Sequence, residues 1–168
     1  MAVREAIVLI GHGGVPSDCP ASLVGELKRL EGERRARGEA AMGSREAELD
    51  RRVRTWPRSA ETEPYHAGLE AVAQRLAARM APRRLVVAYN EFCAPSVEEA
   101  IASLVRDGVE RIVLATTMFT PGGSHSELEI PAIAAAARRA HPGVDVRYAW
   151  PFDLDRAADF LAEQIDRS

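Results

Sequence analysis

Two apolar runs in this chain end in the same way, and that shared ending restricts the fold more than any other feature. Ala6-Ile7-Val8-Leu9-Ile10 runs into Gly11-His12-Gly13-Gly14. Ile112-Val113-Leu114-Ala115 runs, after five further residues, into Pro121-Gly122-Gly123-Ser124-His125. Short continuous runs of this kind, bounded by glycine, read as strands buried on both faces. Ser124 is a good helix N-cap and acidic residues follow it, so a helix of about Ser126 to Ala140 succeeds the second run. A histidine just past the end of a buried strand lies where open α/β sheets take their ligands.

The same alternation continues through the chain. A strand at Leu85–Tyr89 leads into Asn90-Glu91-Phe92-Cys93-Ala94-Pro95. Ser96 then caps a helix with Glu98 and Glu99 in its first turn and Gly108 beyond its end. A fourth strand spans Asp145–Ala149, and a last helix carries Leu154, Ala158, Leu161 and Ile165 on one side. An earlier helix opens at Thr62-Glu63-Pro64, with Leu69, Val72, Leu76 and Met80 on its apolar side. Four strand–helix alternations imply an α/β fold, a parallel four-stranded sheet with helices on both faces. The order 2-1-3-4 makes the first and third strands neighbours.

Between the first two strands lies about twice the helical material that one crossover requires. Leu23, Leu27 and Leu30 keep helical spacing to about Glu39, and Leu49, Val53 and Trp56 resume it after Met42-Gly43-Ser44 until Pro57. Residues 26–63 hold ten basic and nine acidic side chains, which marks a solvated face and not a basic patch. The chain therefore reads as one domain over 1–168, with the segment at about 21–63 a helical insertion or an extra helical pair packed on the rim. A formal charge of −3 gives no general attraction for nucleic acid or anionic membrane. No apolar run approaches the roughly 20 residues of a membrane span. No basic leader precedes the first strand, so the expected location is the cytoplasm.

Four histidines are present. His66, early in a helix, and His141, in a turn, read as surface residues. The order 2-1-3-4 brings His12 and His125 to one crevice, with Glu91 from the adjoining strand end close by. Two imidazoles and a carboxylate can bind a first-row divalent ion and leave positions open for a further ligand. The alternative is that His12 bonds within its own loop and His125 only decorates a helix start. Backbone N–H groups of Gly122, Gly123 and Ser124 can hold a phosphate or carboxylate. Cys93 is either a nucleophile or, given its apolar neighbours, a buried structural thiol. Cys19 and Cys93 form no CxxC. Gly-His-Gly-Gly is neither GxGxxG nor followed by a Walker lysine, so no nucleotide cofactor is indicated. A phosphohistidine loop would place an arginine where Gly11 stands.

With these pieces assembled, the chain resembles the class II tetrapyrrole chelatases, and among them the short sirohydrochlorin chelatases of the cobalamin and sirohaem pathways. The matching motifs are LIGHGG at 9–14, AYNEFCAPSVEEAI at 88–101, RIVLATTMFTPGGSHSELEIP at 111–131 and HPGVDVRYAWPF at 141–152. The resemblance implies a flavodoxin-like sheet and insertion of a divalent metal into a planar tetrapyrrole. It places the family's metal histidines on His12 and His125 and its acidic residue on Glu91. It also implies a homodimer with the cavity near the subunit interface. Cobalt is the expected metal ahead of iron(II) or nickel, and a metal or tetrapyrrole carrier using the same histidines is the alternative. Three features depart from the family pattern: the 21–63 segment, the Tyr89-Asn90 pair before the glutamate, and the threonines at 116, 117 and 120.

Overall fold

The computed structural model describes residues 4–168. Its sheet consists of four parallel strands, β1 (Glu5–Gly11), β2 (Arg84–Tyr89), β3 (Arg111–Thr116) and β4 (Asp145–Tyr148), in the order β2-β1-β3-β4. The helices are α1 (Ala21–Ala36), α2 (Ser44–Arg54), α3 (Pro64–Met80), α4 (Val97–Arg106), α5 (Ile130–Ala140) and α6 (Leu154–Ile165). This is the α/β sheet and strand order that the alternation implies. The first inserted helix ends three residues before Glu39. None of the helices among the described residues is long and apolar enough to cross a membrane.

One face of the sheet carries the main core. Ala6, Val8 and Ile10 of β1, Ala88 of β2, Ile112 and Leu114 of β3 and Val146 of β4 pack against α4 and α5. Ser96 and Glu99 close a reciprocal capping box at the start of α4, which satisfies two amides that the first turn leaves open. On the other face, Leu9 and Tyr89 pack on Leu69 and Ala73 of α3. Val72 points outward instead of joining that apolar side, because the helix turns Ala73 inward.

The second face is covered only in part, which corrects two expectations. β3 is not buried on both sides: Ile112, Leu114 and Thr116 are buried, while Val113 and Ala115 are half-buried. The last helix, α6, buries none of its residues, and Leu154, Phe160, Leu161 and Ile165 are all exposed. Its apolar stripe is present, but among the described residues none buries it.

The inserted helices form a third core. Leu23 and Leu27 of α1 pack on Leu49 and Val53 of α2, together with Cys19 and the flanking Val15, Trp56 and Phe92. Val15 and Phe92 belong to the loops after β1 and β2. The insertion is therefore joined to the C-terminal edge of the sheet, where the loops after β1 and β2 meet.

Candidate functional site

Backbone bonds lace the loops after β1 and β2 together. Asn90 donates its amide to the Gly11 carbonyl at 2.9 Å, and Glu91 donates to the His12 carbonyl at 2.8 Å. Glycine is needed at two places here. A Cβ at Gly11 would meet Leu69 of α3 at 2.3 Å, and Gly13, at φ 92°, would drive one into the Glu91 carbonyl at 1.8 Å. The glycines beside His12 thus let it sit directly against Glu91. Tyr65, at the start of α3, accepts the His12 amide at 2.8 Å.

β3 brings the second histidine. Thr117 donates its amide to the Ile10 carbonyl, and the Thr116 hydroxyl donates to the same oxygen while accepting from the Met118 amide. Thr116 is buried, so its polarity splices two strand ends and does not face the site. His125 opens a π-helical turn, His125–Glu129, that runs into α5. Pro131 in the first turn of α5 has no N–H to give, and its ring would strike the carbonyl four residues back; the wider turn accommodates it.

The outcome differs from the expected helix start. Ser124 already has helical dihedrals and its side chain caps nothing. The Gly122 amide is bonded to the Glu127 carboxylate at 2.9 Å, so it is taken by an anion of this chain. Gly122, Gly123 and Ser124 are exposed and lie outside the cavity described below.

His12, Glu91 and His125 converge. One ligand atom from each lies within 4.8 Å of the others. His12 Nε2 faces a Glu91 oxygen at 3.9 Å, and the two imidazole rings stand 5.0 Å apart at 75°. His12 Nδ1 is 2.7 Å from the Gly13 carbonyl, so Nδ1 carries the proton and the Nε2 lone pair is free. Donor atoms around a tetrahedral ion with bonds near 2.1 Å lie about 3.4 Å apart. Small side-chain rotations would bring the three groups to that spacing.

His125 has a support that sequence reasoning missed. Its Nδ1 lies 3.0 Å from Glu129 Oε2, and the Asn90 amide donates to the same oxygen at 2.8 Å. Asn90 Nδ2 is also 2.8 Å from His125 Nδ1. Nδ1 cannot both donate to Glu129 and accept from Asn90; donation to the carboxylate leaves the Nε2 lone pair free. Burial opposes the charge on Glu129, but hydrogen bonds from Asn90 and His125 hold its carboxyl below the usual carboxylate range. The i, i+4 spacing of His125 and Glu129 was the available signal. Cys93 is fully buried, and burial pushes its thiol up to about 11, which suits a structural thiol. His66 stacks on Tyr89 and is not one of the converging residues.

A cavity of about 450 Å³ opens between the insertion and this cluster, lined by Arg35 of α1, Arg54 of α2, Asn90, Glu91, Phe92 and Glu129 among others. The insertion also grips the Glu91 loop. Arg54 donates to the Asn90 and Cys93 carbonyls at 3.1 and 3.0 Å. Arg58 donates to the Phe92 carbonyl and forms a buried ion pair with Glu63. Phe92 has a left-handed backbone, φ 57°, which is uncommon for a bulky residue and persists only where surroundings over-determine it. Here Arg58 holds its carbonyl while its ring packs in the inserted core.

Comparison with known proteins agrees with this architecture. The fold resembles that of a CbiX protein ascribed to cobalamin (vitamin B12) biosynthesis from Marinobacter aquaeolei VT8. That likeness has a TM-score of 0.55 and 17% identity over 98% of this chain and 99% of that one. It also resembles SirB from Bacillus subtilis, solved with Fe3+, at a TM-score of 0.52 and 14% identity, over 87% of this chain and 39% of that one. No curated protein sequence matches the chain. The CbiX family model matches residues 59–168, which is 110 of the 168, beginning after the two inserted helices. The chain belongs to the CbiX family, in keeping with the class II chelatase resemblance of its motifs.

Proposed function

We propose that this protein inserts a divalent metal ion, cobalt first and iron(II) or nickel next, into sirohydrochlorin or a related tetrapyrrole. The observation that carries the reading is the convergence of His12 Nε2, Glu91 and His125 at the C-terminal edge of the sheet. Membership of the CbiX family supports it, as do the cobalamin role ascribed to the Marinobacter relative and the iron bound by SirB.

The residue types suit the task. Metal insertion exchanges a divalent ion for two pyrrole N–H protons, so the protein must hold the ion and then release it. Two imidazoles and one carboxylate bind a first-row ion while leaving positions open, and no redox or nucleotide cofactor is required. Glu91 stands beside the ion's place and can take a pyrrole proton once its oxygen leaves the metal. Glu129 and the Gly13 carbonyl fix the two imidazoles so that Nε2 of each is presented inward. Substitution of either histidine by alanine should abolish Co2+ uptake, read from the visible bands of the bound ion, with little change in thermal stability. Full uptake by either variant would remove the site.

A second reading, a metal carrier without turnover, is favoured by one observation. The cavity lining holds six carboxylates, Glu31, Glu46, Asp50, Glu91, Glu98 and Glu129, against three arginines. Such a surface attracts a cation and opposes a polycarboxylate. Stoichiometric, slowly released Co2+ with no insertion would identify a carrier.

The homodimer belongs to the same proposal. Leu154, Leu161 and Ile165 form an exposed stripe on α6, and Val113 and Ala115 lie half-buried on the sheet face that α3 covers only in part. A second copy offers each of these surfaces an apolar partner. A cytoplasmic setting is consistent with a reaction that handles a free divalent ion and a soluble macrocycle.

A further inference from the structure

The three arginines of the cavity are not equivalent. Arg34 is bonded to Glu46 at 2.9 Å, and both are largely buried. Arg54 is bonded to Asp50 at 2.8 Å and to the carbonyls of the Glu91 loop. These two guanidiniums are committed to holding the insertion in place. Arg35 is 57% exposed, paired with Glu31 one helical turn back at 2.5 Å. Its Nη2 also lies 4.0 Å from one Glu91 oxygen, while the other Glu91 oxygen faces His12 Nε2 at 3.9 Å. Glu91 therefore stands between an arginine and an imidazole, with one oxygen toward each.

The backbone beneath Arg35 is well fixed. Leu23 and Leu27 anchor α1 on α2, and the neighbouring Arg34 is pinned to Glu46. The side chain itself is the movable part. A divalent ion at the histidine pair would lie a few ångströms from this guanidinium and repel it. An anionic ligand in the cavity would meet Arg35 as the most exposed of the three guanidiniums, 57% against 13% and 15% for Arg34 and Arg54.

We propose that Arg35, on the inserted helix α1, is a carboxylate-binding residue that changes partners: it neutralises Glu91 before metal arrives, then takes a carboxylate of the anionic macrocycle. This rests on the triad reading of the previous subsection. Arg35 thus offsets the acidic lining for a substrate that the cavity would otherwise repel. It also weakens the grip of Glu91 on the ion, which favours release into the macrocycle. The two effects have opposite signs when the charge is removed, and that separates this role from a structural one.

The experiment is a pair of equilibrium titrations, Co2+ alone and metal-free sirohydrochlorin alone, on the whole protein and on R35Q, R35K and E31Q. Two unit charges at about 6 Å from a guanidinium in water are equivalent to about tenfold in affinity. R35Q should bind Co2+ about tenfold more tightly and sirohydrochlorin about tenfold more weakly, and R35K should recover most of the wild-type behaviour. E31Q, which frees Arg35 to sit on Glu91, should bind Co2+ more weakly. R35Q indistinguishable from wild type in both titrations, or weakened in both, would overturn the role of Arg35 alone. A wild-type protein that takes up no Co2+ would overturn the triad, and this proposal with it.

Discussion

At the scale of the residue, the proposed metal site rests on two imidazoles whose Nδ1 atoms are each hydrogen-bonded to a group outside the triad. His12 uses its neighbour's carbonyl; His125 uses Glu129. Glu129→Gln keeps the volume but replaces the accepting carboxylate, and should lower Co2+ affinity about 10–100-fold with thermal stability nearly unchanged. Unaltered affinity in a titration of that variant would show that Glu129 does not orient His125. His12, Glu91 and His125 could be named from sequence because strand ends and strand order bring them together. Glu129 could not, since a glutamate four residues into a helix is ordinary until a histidine is known to face the site. The Thr116 hydroxyl misled in the other direction. Its polarity is consumed between the Ile10 carbonyl and the Met118 amide.

At the scale of the element, the inserted helices line the cavity beside the triad. Periodicity finds them, because Leu23, Leu27, Leu49 and Val53 keep the helical spacing. It cannot show that Arg54 and Arg58 reach the loop that carries Glu91, since those contacts span 34 to 39 residues of chain. Arg58 and Glu63 form a buried pair, side chains 9% and 2% exposed. Arg58→Ala would strand that carboxylate and should cost about 3–5 kcal/mol. Leu49→Ala, in the inserted core, should cost about 2–5 kcal/mol. Denaturant unfolding checks both, and losses under about 1 kcal/mol would show that the insertion is peripheral after all. The left-handed Phe92 is the other feature that no pattern announces. Only the grip of Arg58 and the inserted core explains why a phenylalanine is tolerated there.

At the scale of the whole molecule, the α/β sheet and its order were legible because strand–helix alternation admits few parallel arrangements. What alternation does not reveal is which helix has a surface to lie on. α6 has an apolar stripe that no other described residue buries, and one sheet face is only half-buried along β3. A homodimer that buries both should sediment as a single species of twice the 18.3 kDa chain mass. Leu161→Glu with Ile165→Glu should shift it to monomer, and a wild-type monomer at tens of micromolar would remove the dimer. The central claim concerns chemistry and has a more direct test. Sirohydrochlorin is mixed anaerobically with Co2+, Ni2+ or Fe2+ supplied separately, and its absorbance is followed with wild-type protein and with His125→Ala. A wild-type rate above the uncatalysed rate, fastest with Co2+ and absent in the variant, is the predicted result. An uncatalysed rate with all three metals, from a protein that nonetheless binds them, would contradict metal insertion and leave a carrier.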